Sequence, residues 1–137
     1  MPMNPALALQ EAMLARLRDD AALTTMLGGQ KVFGRPPRRT APPYVVFGDP
    51  ETRAWNTFTE TGHEHRLTLH VYSEHGGRKQ AYEIIARLDE LLDDAPLPLT
   101  DHHLVNLRCV FWTALRAADG RLFHGILRLR ATTHPLQ

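Results

Sequence analysis

The sequence predicts an α+β fold, a mostly antiparallel sheet with two main helices packed on it. Three observations predict it. First, the stretch from Gly62 to Leu92 changes period in its middle. His63, His65, Leu67, Leu69 and Val71 alternate with Glu64, Arg66, Thr68, His70 and Tyr72, which reads as a half-buried strand with its leucine side inward. Beyond Gly76-Gly77, Ala81, Ile84, Ile85, Leu88, Leu91 and Leu92 recur at three- and four-residue steps, an apolar stripe along a helix. Second, the chain alternates again on both sides of Asp119-Gly120, as a hairpin does. Third, Asn4-Pro5 opens a helix whose stripe is Ala6, Leu9, Met13 and Leu17, widened by Leu14.

The chain in order supplies the other elements. Leu23 to Leu27 adds a helical turn stopped by Gly28-Gly29, and Lys31-Val32-Phe33 is a short strand. From Gly34 to Pro43 four prolines remove donors and fix φ, so this is an extended arm carrying Arg35, Arg38 and Arg39. It is a solvated connector, a phosphate contact, a proline-rich ligand or an arm on a neighbouring subunit. Tyr44 to Gly48 is a strand ended by Asp49-Pro50. Glu51 to Thr61 is polar, with Trp55 and Phe58 set into it. Those two aromatics either fold back over the core edge or anchor a partner.

For the last hairpin the expected register has a three-residue loop, Ala118-Asp119-Gly120. It pairs Leu115 with Phe123, Phe111 with Leu127 and Cys109 with Leu129. That register sets Val105, Leu107, Cys109, Phe111, Thr113 and Leu115 against the apolar face of Phe123 to Ala131. A two-residue loop would place Leu115 opposite His124. Arg108, Val110, Trp112, Ile126, Arg128 and Arg130 then share the opposite face, where a helix or another subunit must cover Trp112, Val110 and Ile126.

Bulk properties narrow the function classes. The chain has 137 residues, which suits one domain spanning 1–137 that can bury a core unaided. It is 43% hydrophobic and 23% charged, which excludes wholesale disorder. A net charge of +1 gives no global pull toward nucleic acid or anionic lipid. Cys109 is the one cysteine, so no intrachain disulfide forms, and it reads as a small buried hydrophobe. No apolar run reaches the roughly 20 residues of a membrane span, and no secretory signal opens the chain.

The chemistry-bearing residues do not assemble into a site. Among the eight histidines, His63 and His65 could chelate from one strand face, with His102 or His103 approaching. A zinc site needs three or four converging ligands, however, and strand-end polar residues explain them. Asp93, Asp94 and Asp101 read as solvated acids. His75-Gly76-Gly77-Arg78-Lys79 precedes a helix but lacks the spacing of a phosphate loop. No enzyme signature, cofactor motif or metal site emerges.

Several motifs, taken in order, carry a resemblance. These are Pro43-Tyr-Val-Val-Phe47, Trp55-Asn-Thr-Phe-Thr59, Gly62-His-Glu-His-Arg66, Leu67-Thr-Leu-His-Val-Tyr-Ser73, Gly76-Gly77 opening the helix, and Asp119-Gly-Arg-Leu-Phe-His-Gly-Ile-Leu-Arg-Leu-Arg130. Over nearly its whole length the chain resembles the DUF3168 family of tailed-phage and gene-transfer-agent proteins, described as tail completion or tail terminator proteins. The resemblance implies a structural virion protein of the tail and neck, assembled in the host cytoplasm, with no enzymatic activity and no cofactor. It implies a homohexameric ring that caps the tail tube, ends tube polymerisation and forms the head-tail joining surface. The implied partners are further copies of the chain, the tail tube protein, a head-side connector or stopper protein, and DNA passing through the lumen without sequence specificity. The candidate contacts with neighbours or tube are Arg35, Arg38, Arg39, Trp55, Phe58 and Trp112. Three rivals stand beside this reading: a head-side neck or stopper protein, a metal enzyme on the histidines, and a monomeric nucleic-acid-binding module using Arg35, Arg38 and Arg39.

Overall fold

The computed structural model describes residues 1–56, 61–74, 77–117 and 122–136. Its first helix, α1 (Pro5–Arg18), begins where the sequence supplies a cap: Asn4 Oδ1 accepts from the backbone N–H groups of Ala6 at 2.8 Å and Leu7 at 3.2 Å. A second helix, α2 (Ala21–Leu27), is capped in the same way by Asp20, whose Oδ2 accepts from Leu23 N–H at 2.8 Å. It ends at Gly28, which takes the left-handed conformation (φ 75°) that a side chain would resist.

Asp20 has a second duty. Arg87, on α3 (Lys79–Leu92), donates its Nε–H to the same carboxylate at 2.9 Å and pairs with the other oxygen through a second nitrogen. The carboxylate therefore stitches α2 to α3, and the Arg87 bond holds its pKa below the ordinary 3.8. Asp20→Ala removes cap and pair together, whereas Asp20→Asn keeps a capping oxygen. Urea unfolding at neutral pH should show a loss of at least about 1 kcal/mol for the alanine variant, from the cap alone, and a smaller loss for the asparagine variant. Because the native carboxyl titrates low, its contribution is present above pH 3.8 and drains away as pH falls through the lower native value.

Six strands form one sheet in the order β1-β2-β4-β6-β5, with β3 also on β4. They are β1 (Val32–Phe33), β2 (Tyr44–Phe47), β3 (Glu51–Asn56), β4 (Thr61–Ser73), β5 (His102–Arg116) and β6 (Phe123–Pro135). The β1–β2 pair is parallel and the others are antiparallel. β6 runs along one side of β4. β2 and β3 share its other side, β2 against residues 69–72 and β3 against 61–66.

The helices lie on one face of this sheet. Leu9, Met13 and Leu17 of α1 and Ile84, Leu88 and Leu92 of α3 join Leu67, Leu69, Val71, Leu127 and Leu129 in one buried cluster. Gly125 lets α3 approach this closely, since a Cβ there would sit 3.0 Å from Ile85 Cδ1 and 3.2 Å from Val71 Cβ. Among the described residues no helix is long and apolar enough to cross a membrane.

The long strand and helix fold as their periodicity predicts, but β5 departs from the expected register. Two bulges, between Leu104 and Asn106 and between Cys109 and Phe111, each insert one residue. Cys109 does pair with Leu129. Beyond Val110 the parity flips, so Trp112 pairs with Leu127 and Leu115 with His124. The side chains directed at the helices are then Leu104, Leu107, Cys109, Trp112 and Ala114, whereas Val105, Phe111 and Leu115 are exposed. Leu115 no longer shares the apolar face, so its pairing with His124 carries no penalty. Residues 118–121 of the connecting loop lie outside the described residues.

Candidate functional site

β5 is the last strand of the sheet, and among the described residues no strand lies along its outer edge. Parts of that edge are covered from within. Leu107 O accepts from Asp94 N–H at 2.7 Å, Cys109 N–H donates to Asp93 Oδ1 at 2.9 Å, and Ala114 O accepts from Arg78 Nε–H at 3.0 Å. Between these clamps the strand presents Val110 (57% exposed), Phe111 (43%) and Trp112 (55%), with Leu115 just beyond. Scattered apolar residues on a surface are ordinary, but consecutive ones on an unpaired edge are a template for another chain.

The bulge at Val110 splits this edge between the two faces. Trp112 turns toward the helix layer and lines a shallow groove with Tyr82, Ile85, Ala86 and Asp89. The sequence-based expectation placed it on the opposite face; the flipped parity corrects that, while its exposure stands. Val110 and Phe111 turn the other way, onto a sheet face that no helix covers. Val110 lines a groove there with Arg66, Thr68, Arg128 and Arg130, and the Arg128 guanidinium sits 5.0 Å from the centre of the Phe111 ring.

At the β2 end of the uncovered face a stack of rings fills the surface. Tyr44 lies on Tyr72 at 5.0 Å, Tyr72 on His124 at 4.7 Å, and His70 shares a hydrogen bond of 2.7 Å between its Nδ1 and His124 Nε2. Burial lowers the pKa of both histidines. It raises that of Tyr44, with Tyr72 adding to the shift. At the β3 end Trp55 (40% exposed) lies against Gly62 and lines a groove with Glu64, Arg108, Val110 and Arg130.

Arg35, Arg38 and Arg39 are exposed along the proline-rich arm, at a distance in sequence and strand order from β5. Phe58 lies outside the described residues. The structure therefore joins Trp55 to the arginine-bearing face, places Trp112 across the β5 border from it, and leaves the arm apart.

His65, His102, Asp93 and Asp101 serve the fold. His65 is fully buried, its Nδ1 bonded to Thr52 Oγ1 and its Nε2 to Thr133 Oγ1, each at 2.9 Å. His102 Nε2 donates to Met3 O at 2.6 Å. Asp101 accepts from Met3 N–H, and Asp93 accepts from Arg108 and from Cys109 N–H. These acids are structural partners rather than merely solvated. Among the described residues the cluster whose ligand atoms approach within 4.8 Å is Asp89, Asp93 and Cys109, not the histidines. Burial and the two carboxylates push the Cys109 thiol well above its usual pKa, which opposes a thiolate ligand. Cys109 is half-buried rather than a core residue.

With the geometry in place, the relatives are informative. Residues 11–134 match the tail completion protein gp17 family. The tail completion protein gp17 of Bacillus phage SPP1 is 30% identical over 127 residues, 91% of each chain. Among solved structures, a chain in the virion of a native gene transfer agent particle superposes with a TM-score of 0.86 at 28% identity, covering 94% of this chain and 96% of that one. The bacteriophage SPP1 gp17 protein gives 0.66 at 28% identity, covering 93% and 89%. The match bears the tail-completion description, while the DUF3168 label rests on the resemblance alone. The mixed sheet with helices on one face, and the match along 124 of 137 positions (residues 11 to 134), lead to one conclusion: the chain belongs to the tail completion protein gp17 family.

Proposed function

We propose that this chain is a structural, non-enzymatic component of a tailed particle. On this reading it forms a ring of identical subunits on the finished tail tube, stops tube growth and offers the joining surface to the head. The observation that carries the reading is the unpaired β5 edge. It is a strand of fifteen residues with Val110, Phe111 and Trp112 in the open, on a chain similar to one from an assembled particle. Such an edge favours assembly over free existence.

A closed ring needs a heterologous contact, two different patches per subunit. The sheet has two different borders: β5 on one side, and β1 and β3 on the other, with all six β3 residues exposed. In this reading the β5 border, with Trp112, meets one neighbour. Trp55 and the arm arginines Arg35, Arg38 and Arg39 meet a neighbour or the tube. The partners are further copies of the chain, the tube protein, a head-side connector or stopper, and the DNA that crosses the lumen. The location is the neck of the virion, reached by assembly in the host cytoplasm. Imaging of particles produced without this chain tests the reading.

A further inference from the structure

Three arginines stand in one row across the uncovered sheet face. Arg66 on β4 lies directly opposite Arg130 on β6, and Arg130 lies opposite Arg108 on β5. Like charges placed opposite one another destabilise a sheet, so the row opposes folding. Carboxylates compensate it in part. One carboxylate, Glu64, is shared at 3.5 Å by Arg66 and Arg130, and Arg108 reaches Asp93 at 3.0 Å. All three side chains remain 57–59% exposed. Arg128, two residues from Arg130 on the same face of β6, rests on Phe111, and among the described residues no carboxylate lies within 4.0 Å of it.

The chemistry of this face differs from that of the β5 border. Thr68, Thr132 and Ile126 flank the arginines, and the aromatic side chains nearest them, Phe111 and Trp55, stand at the β5 and β3 borders. Protein interfaces concentrate their energy in buried aromatic anchors, and here the aromatics gather at the borders. Guanidinium groups present forked donors that match phosphate oxygens. Across three strands the row spans about 10 Å, a length along which one DNA strand offers about three phosphates.

We propose that this face binds the phosphate backbone of double-stranded nucleic acid without sequence preference, through Arg66, Arg108, Arg128 and Arg130. The inference rests on the tail reading only for where a duplex is met. The binding is a property of the chain itself. Asp49 and Glu51 line the same groove, so the contact is weak and salt-sensitive, as suits a duplex that must slide.

Fluorescence anisotropy with a labelled, mixed-sequence DNA duplex tests it. The chain should bind at low salt, with log affinity falling against log salt at a slope of about −3. The Arg66→Ala/Arg130→Ala variant should lose about two units of that slope and about tenfold or more in affinity. Lys79→Ala, on the helix side, should bind as the parent does. Thermal melting controls for folding: relieving the like-charge row should leave Tm at or above the parent value. The Arg66→Gln/Arg130→Gln variant repeats the test should alanine unfold the sheet. Three results overturn the proposal: no binding by the parent chain at low salt, undiminished binding by the paired arginine variants, or labelled polyaspartate held as tightly as the duplex. The last would make an acidic protein surface the partner. A chain that binds DNA but leaves particle assembly unchanged when deleted refutes the tail reading and not this one.

Discussion

Replacing Val110 and Trp112 together by aspartate should keep the chain out of finished particles while leaving it folded. Both side chains are more than half exposed, so neither substitution opens a cavity in the core or buries a charge in the free subunit. In an assembly the same charges would be desolvated against a neighbour. An aromatic anchor at the centre of an interface is worth about 2 kcal/mol or more, and a buried unpaired carboxylate adds a further penalty. Incorporation, read from the band of this chain in purified particles, should fall by more than about tenfold. Circular dichroism should show the parent's fold and melting. Incorporation at the parent level would remove β5 as the contact.

Acidification should strip about 3 kcal/mol of stability between pH 6.5 and pH 4, most of it through His65. This residue is fully buried among neutral partners, and burial, then His63 and His102, lowers its pKa from 6.5 to about 4. In the unfolded chain the ring takes up a proton near pH 6.5; in the native state it resists until about pH 4. The unfolded state therefore binds more protons across that window, and stability declines as pH falls through it. His70 and His124 shift in the same direction and add to the decline. Asp20 acts only below pH 3.8 and does not overlap. Urea titrations at several pH values measure the slope, and His65→Gln, which keeps a polar side chain between Thr52 and Thr133, should flatten it. An unchanged slope in that variant would locate the effect elsewhere.

What could be read from the residues, and what could not, follows from how local each signal is. The cap at Asn4, the stop at Gly28 and the stripe from Ala81 to Leu92 are set by neighbours within four positions, and these elements form as expected, whereas the Asp20 cap of α2 emerged only in the structure. The long strand β4 carries an unbroken period of two, so its buried side was evident. The bulges in β5 leave no such trace. Val105, Leu107, Cys109, Phe111, Thr113 and Leu115 keep a period of two across both bulges, so a uniform pleat is the natural reading even with Val110 and Trp112 as misfits on the other side. The strand instead curls at Val110, which sends Trp112 beside α3 and turns Phe111 toward Arg128. The arginine row was hidden for a related reason. Arg66 is more than forty positions from Arg108 and farther still from Arg130, and only strand order and register bring the three into line. Exposed Trp112 and Trp55 were legible as misfits of pattern, although their faces were not. The kinship to phage tail completion proteins, though not the DUF3168 label, was legible from the order of short motifs, none of them sufficient alone.

On the proposed reading the chain completes the tail and provides its junction with the head. Electron microscopy of particles produced with its gene deleted tests this most directly. Overlong tubes, or tails without attached heads, are expected, with recovery of normal particles when the parent chain is supplied. Tails of normal length beside filled heads that leak DNA would assign the chain to the head side of the neck. Normal particles in its absence would exclude a role in the tail or neck.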